Sequence, residues 1–527
     1  MIGACKHSIS DSSGRRAGVT GEARRTGDLK RFLNRFAAKW LCALVLGSAS
    51  LLFAQVAVAE DASGMKLVGS DPLQGRSAYQ VIPHQVNGQW ILYVGQMPGR
   101  ALNPLTGRVE DNGMSILDVT DPSRPKFLHH EPPGDTSWYR GKESSSGTYH
   151  IQVCDGAKLP KGTPGKVYVL RALGPIAHEV LDVTDPAATH RVSLVRVGRS
   201  DAMGTEGTHN SFWDCSSGIA YMVSSVPKWR ARRILQVYDL GDPANPRHVR
   251  DFGLPEMGPD TRQPGVRPKE QFYGASAHAA EVAGDKLYMS YSPFSDGTLQ
   301  ILDVKKLLAG DPGAADPLKP TDESLRYPQI GRLDFPSYWG VHTAKPILGM
   351  KIPGYASDKP GAVRDILVVV SEGGSVKCDR PRHIMFFLDI TEPAFPMPIS
   401  TYQASEKEGN YCGRQVYFGP HNIQALSAPM YDKKLLFVTY FAGGVRIVDI
   451  RNPFSPVEVG HYIPAANANT RYVESKGPWA GVELEPVPET NGVDVDARGY
   501  VYITDRAHTG LHILELTGLP KQIADSK

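Results

Sequence analysis

Apolar positions in this chain come in short bursts, not in helical stripes. The recurring burst is two or three apolar residues, an acid, one more apolar residue and a turn that usually ends in proline, as in Ser115-Ile116-Leu117-Asp118-Val119-Thr120-Asp121-Pro122. After Asp118, further copies centre on Asp182, Asp239, Asp303, Asp389, Asp449 and Glu515, at intervals of 64, 57, 64, 86, 60 and 66 residues. Seven copies at such intervals make a repeat protein whose unit holds about four strands. Much of the longest interval, in unit five, is accounted for by a Gly/Pro-rich insertion at 353–361.

Within the second unit, runs at 149–153, 165–170, 179–183 and 191–195 have the alternation and β-branched content of strands. Four strands make a blade and seven blades a propeller, so the expected fold class is all-β, a seven-bladed β-propeller spanning 60–527. The seventh unit has only three strands before a polar tail, whereas 65–69 lies just ahead of the first unit, where an outer strand belongs. The N-terminal segment is therefore expected to pair with the last blade and close the ring, removing the edge that an open array would expose. The apolar-apolar-Asp-apolar-Thr-Asp-Pro units, followed by an apolar strand as in Pro125-Lys126-Phe127-Leu128, resemble the LVIVD-repeat β-propeller family over nearly all of 65–517. That resemblance implies an exported or surface propeller and leaves the activity open.

Charge and leader narrow the setting. Residues 1–59 carry nine Lys/Arg against three Asp/Glu, an apolar run from Trp40 to Ala54, and Ala57-Val58-Ala59 before Glu60-Asp61. This is the pattern of a secretory signal peptide, cut after Ala59. Its apolar run of about 15 residues falls short of the roughly 20 that a membrane span needs. The remainder, with 49 basic and 52 acidic side chains, has no basic field to hold nucleic acid. The expected protein is periplasmic or secreted, with no membrane span once the leader is removed.

Candidate chemistry sits at one register of the repeat. At the start of each first strand the chain reads Thr148-Tyr149-His150, Gly207-Thr208-His209, Ser276-Ala277-His278, Gly340-Val341-His342 and Gly419-Pro420-His421. Blade seven has Asn491 at this position. In blade one, counting back from the Asn87-Gly88 turn selects Tyr79, with His84 as the less favoured alternative. First strands line a propeller's channel, so His150, His209, His278, His342 and His421 are expected to converge and to bind a transition metal, iron or copper, since neutral imidazole suits such ions. Inherited repeats could carry histidine with no such use, but the residues around it have diverged while the imidazole remains. Tyr79, Glu206 and His508 are candidate proton carriers or ligand-orienting groups, and Glu281 is another possible acceptor for a ring N–H.

Four cysteines follow the leader, an even count that suggests two disulfides in an exported chain. Cys378 and Cys412 lie on connections of the histidine face, and Cys154 and Cys215 follow His150 and His209 on neighbouring inner strands, which gives the expected pairs. The same face carries Lys228, Trp229, Arg230, Arg232 and Arg233, then Glu372, Arg380, Arg382 and His383, then Asp505 and Arg506, a set that could select a small anionic or aromatic substrate. Nucleophile elbows, Walker loops, dinucleotide fingerprints and His-Glu-x-x-His helices are absent from the sequence. The leading expectation is an exported metal-dependent oxidoreductase, oxygenase or lyase. Its arrangement is similar to that of carotenoid oxygenases and nitrous oxide reductase, which gather histidines from propeller blades around iron and copper. The competing expectation is a non-catalytic propeller that binds protein or polysaccharide at the cell surface.

Overall fold

The computed structural model describes residues 60–526 apart from 135–146, 175, 198–206, 260–275, 292–296, 337–338, 353–362, 373–374, 379–383, 425–427 and 473–481. The leader, the insertion in unit five, Glu206, Arg380, Arg382 and His383 lie outside the described residues. Seven antiparallel blades follow one another around the ring, each running outward in chain order through its first three strands, and two short strand pairs, Arg100–Asn103 with Arg108–Asp111 and Ser375–Val376 with Tyr417–Phe418, form separate sheets. In the second blade, Ile151–Asp155, Val167–Leu173, Ala177–Asp182 and His190–Arg196 run from the inner strand to the outer one. The fold is a seven-bladed β-propeller.

The repeat motif explains how each blade is finished. The strand before the acid carries neighbouring apolar residues on opposite faces, so one packs toward the preceding blade and the next toward the following one. Leu117 packs with Tyr502, Leu511 and Ile513 of blade seven, while Ile116 packs with Val167, Val169 and Leu181 of blade two. Just before the acid, the pairing of third and fourth strands slips by one residue, at Ile116/Leu117, Val180/Leu181, Val237/Tyr238, Ile301/Leu302, Phe387/Leu388 and Ile447/Val448. Such a bulge bends the strand and increases its twist, as the outer part of a blade requires. The acid then folds the turn: the carboxylates of Asp118, Asp182, Asp239, Asp389 and Asp449 each accept from the backbone N–H two residues on, at 2.8–3.1 Å. Aspartate is favoured there because its short side chain can cap its own turn.

Burial follows the same plan. Apolar clusters fill the seams between consecutive blades all round the molecule, including the seam between blades seven and one. The core is a circle of layers, and its last layer needs closure. Met65–Asp71 pairs antiparallel with Leu511–Leu516, Met65 opposite Leu516 and Asp71 opposite Leu511, and supplies the fourth strand of blade seven as expected. A second strand, Asp61–Ser63, adds to the outside of blade six by pairing with His461–Ile463. The C-terminal tail forms a short helix, Gly518–Asp525, whose Ile523 and Ala524 pack into the seam of blades six and seven.

Both expected disulfides are present, Cys154 to Cys215 and Cys378 to Cys412, with Cα atoms 5.6 and 5.0 Å apart. The first joins the inner strand of blade two to the segment after the inner strand of blade three, and the second joins two connections of blades five and six. They span sequence separations of 61 and 34 residues. In the chain-entropy account each stabilises the fold by about 4 kcal/mol. Changing either pair to serine is expected to lower the urea midpoint measurably, and an unchanged midpoint would show that the bridge constrains nothing the propeller does not already hold.

Candidate functional site

The five histidines start their inner strands on one side of the channel, and their side chains meet. Ring centroids lie 5.0 Å apart for His150 and His209, 4.5 Å for His209 and His278, 3.9 Å for His278 and His342, and 4.6 Å for His342 and His421. Tyr79 completes the circle, edge-on to His150 at 5.2 Å and to His421 at 5.4 Å. The turn count that placed Tyr79 in this register therefore matches the geometry. His84 instead pairs with Asp155 at 2.7 Å. Four of the histidines are buried to 2% exposure or less, and His209 is half-buried.

Backbone carbonyls set two of the imidazoles. His278 Nδ1–H donates to the carbonyl of His342 at 2.7 Å, and His421 Nδ1–H donates to the carbonyl of Asn491, also at 2.7 Å. A ring nitrogen that donates outward leaves the other as a lone pair. His278 Nε2 thus accepts from His209 Nε2–H at 2.8 Å, and His421 Nε2 accepts from the Tyr79 hydroxyl at 3.1 Å. Tyr79 holds its proton firmly, because burial and then the nearby Glu372 raise its pKa above the ordinary tyrosine range. The close passage of blades seven and one depends on Gly492: a Cβ there would lie 2.0 Å from the Tyr79 carbonyl oxygen.

Glu372, from the connection between the second and third strands of blade five, reaches into the circle. Its carboxylate lies 3.8 Å from His342 Nε2 and 3.9 Å from His421 Nε2. His278, His342 and Glu372 each offer a ligand atom within 4.8 Å of the others. Among the described residues, both ring nitrogens of His150, His342 Nε2 and both amide atoms of Asn491 are buried with no hydrogen-bond partner. Native proteins rarely leave such groups unsatisfied, so each calls for an explanation. Burial holds every ring imidazole neutral: the pKa of His150 and of His421 falls to about 3, and His209, His278 and His342 are held well below the usual imidazole range by burial first and then by Arg233 and other ring imidazoles. Neutral imidazole is the form that donates a lone pair to an ion. Burial also raises Glu372 to about 7, against the pull of Arg506 and Arg233.

Other expected participants are placed elsewhere. His508 donates through Nδ1 to the carbonyl of Gly75 at 2.9 Å, and its electrostatic neighbour is Arg471, not a ring member. Glu281 is taken by Lys345 Nζ at 2.8 Å and does not orient an imidazole. Arg506 is partly buried, paired with Glu489 at 2.6 Å and stacked over Phe441 and Tyr417, where it supports the wall beside His421. Asp505 turns inward to accept from Thr509 N–H and does not face the channel as a free rim charge.

Comparison with known proteins bears on the fold. The LVIVD repeat family matches residues 109–129 and 434–463, the third and fourth strands of blade one and the second to fourth of blade six. No curated protein matches the chain. Solved propellers overlay it at low identity. Sqt1 from Chaetomium thermophilum is 11% identical, with a TM-score of 0.43 over 86% of this chain and 99% of that one. The same protein bound to the N-terminus of ribosomal protein L10 gives 12% and 0.42 over 86% and 99%. The Cps50 (Swd1) β-propeller domain of Myceliophteria thermophila gives 9% and 0.40 over 87% and 100%. The chain is a seven-bladed β-propeller in which two segments match the LVIVD repeat.

Proposed function

We propose that this propeller binds one transition-metal ion at the histidine ring, iron ahead of copper, and uses it in an oxidative or lytic step on a small organic substrate. The observation that carries this reading is the set His278, His342 and Glu372, with ligand atoms within 4.8 Å of one another beside buried imidazole nitrogens that meet no partner among the described residues. Two histidines and a carboxylate form the donor set by which non-haem iron(II) is held with open positions, and the remaining imidazoles suit iron or copper equally. A bound ion would supply Lewis-acid and electron-transfer chemistry.

The chain's own residues do the rest. The carbonyl of His342 orients the His278 ring, and the carbonyl of Asn491 orients that of His421, so that both Nε2 atoms face inward. Tyr79 keeps a proton on Oη against His421 Nε2, in reach of a substrate atom at the centre. The buried walls exclude water and strengthen each polar contact. An exported location is part of the proposal, supported by two disulfides of a kind that persists in oxidising compartments. Among the described residues, no helix is long and apolar enough to cross a membrane.

Metal analysis of tag-free protein tests the reading. About one iron per chain is expected, falling at least tenfold in the His278→Ala/His342→Ala double variant and in Glu372→Gln. His129→Ala and His190→Ala, on outer strands, are expected to keep the parent's content. A folded protein that contains no metal, or equal loss from ring and outer-strand variants, would favour a binding module that recognises protein or polysaccharide.

A further inference from the structure

Above the histidine ring lies a buried cation whose charge the described residues leave unbalanced. Arg233 ends the connection between the second and third strands of blade three and is 8% exposed. Its backbone is fixed, because its carbonyl accepts from Ala277 N–H at 3.0 Å, one residue before His278. Its guanidinium has one weak neighbour, Ser276 Oγ at 3.5 Å from Nε, and forms no ion pair among the described residues. The other buried arginines behave differently: Arg446 pairs with Glu408 and Glu458, and Arg171 with Glu179, while Arg76 and Arg250 are held by backbone carbonyls; the partly buried Arg506 pairs with Glu489. A buried charge without a counter-charge is strongly unfavourable, and proteins retain one where something else supplies the partner.

The surroundings say where that partner sits. The Ala277 N–H that the Arg233 carbonyl accepts from adjoins His278, and the guanidinium lies within electrostatic reach of Tyr79, Glu372 and Tyr149. These residues are the wall of the ring. Glu372 is the one described carboxylate that faces it, and its oxygens lie nearest His342 and His421. Imidazoles held neutral contribute no negative charge, and a bound metal ion would add further positive charge. The centre is therefore built to take an anion.

We propose that Arg233 is the anchor for a carboxylate of the substrate, held by its guanidinium beside the histidine ring. The planar fork of arginine matches the two oxygens of a carboxylate, and a charge-assisted pair in a water-poor site is among the stronger polar contacts. An anchored carboxylate places the adjoining carbon skeleton over the ring, with Tyr79 and Tyr149 meeting edge-on at 5.5 Å as an aromatic wall. This inference deepens the metal-site reading and rests on it for what becomes of the bound molecule; the anion contact itself does not require the ion.

The test uses the mature protein stripped of metal, titrated calorimetrically with formate, acetate and benzoate, and with sulfate and nitrate as inorganic comparators. At least one carboxylate is expected to bind and to raise the melting temperature. Arg233→Gln is expected to weaken that binding at least tenfold and Arg233→Lys to weaken it less, whereas Arg247→Gln, on the outer strand of the same blade, leaves it unchanged. In HEPES without added salt, Arg233→Gln is also expected to melt at or above the parent, because it removes an unbalanced buried charge. A lower melting temperature for that variant, insensitive to acetate, would mean that the guanidinium is paired within the chain and would overturn the proposal. So would uptake of sulfate or nitrate with no carboxylate bound, or no uptake of any probe. Metal-free protein that binds acetate but never takes up iron would leave the Arg233 contact standing and remove the iron reading; iron uptake without acetate binding would do the reverse.

Discussion

A chain that begins at Pro72 is expected to lose several kcal/mol of stability, to expose a strand edge on blade seven, and to regain both when a synthetic peptide of residues 60–71 is added. The deleted segment supplies the backbone partner of Leu511–Leu516 and a side chain, Met65, that is 4% exposed among Leu514, Leu516 and Ile523. It also supplies the Asp71 carboxylate that accepts from Leu73 N–H at 2.7 Å and so starts the turn that buries Leu73 against Tyr502 and Leu511. Burying one large apolar side chain contributes about 1.5–3 kcal/mol, and two such residues are affected together with a full ladder of pairing. Against a typical domain stability of about 5–15 kcal/mol this is a large fraction. The solvent-exposed Lys66–Glu515 ion pair adds little. Added peptide can pair with the vacant edge because strand addition draws on main-chain hydrogen bonds. A truncated protein that melts with the parent and binds no peptide would place the closing contacts elsewhere.

Acid is expected to unfold the metal-free protein well above the pH at which most domains fail, with a midpoint between about pH 5 and 6. Among the described residues, nine histidines are held toward the neutral form by burial: the five of the ring, His130 and His512, lowered to about 4, His178, lowered to about 3, and His508. The unfolded chain takes up protons near pH 6.5 while the folded chain refuses them until far lower. The stability these groups contribute is therefore complete above 6.5 and is lost as pH falls through the window below it. Each contributes up to about 1.4 kcal/mol per pH unit. Glu372 and Asp505, raised by burial to about 7 and about 6, together with Glu489 and Asp71, also raised by burial, take up protons in the folded state and oppose part of this loss. The balance, on the order of several kcal/mol per pH unit, is comparable with a whole domain's stability. Circular dichroism against pH would show it. A bound ion is expected to move the midpoint lower, because ring imidazoles cannot protonate until it leaves. Undiminished ellipticity and melting temperature at pH 4.5 would contradict the burial of these rings.

Much of this was legible in the chain because it repeats. The acid, the bulge before it and the turn after it recur at fixed places, so a count of Asp118 and its six counterparts yields the blade number, and a count from turns yields the ring register, Tyr79 included. The parts that could not be read off share a different physics. Glu372 reaches His342 and His421 from a connection with no repeat register, and in the sequence it looks like any rim acid. Arg233 belongs to a run with Lys228, Arg230 and Arg232, and only burial singles it out. The carbonyls that orient His278 and His421 are backbone atoms and carry no sequence signal. His508 was drawn to the site by its residue type alone, and the Gly75 carbonyl claims it. Asp61–Ser63 is too short to show alternation, and its place on blade six is decided by where blade seven leaves the chain entering the ring.

That double attachment of the N-terminal strands fixes an order of events in folding. Blades one to five can form as the polypeptide emerges, each from neighbouring sequence. The seam of blades six and seven requires Met65–Asp71, among the first residues of the domain made, to wait for Leu511–Leu516, among the last. Contacts between such distant points are slow to form, because the chain between them must first be brought to a compact state. Docking of the N-terminal strands onto the rest of the ring is therefore expected to come late in refolding, and a chain in which it has not occurred would carry an open edge prone to self-association.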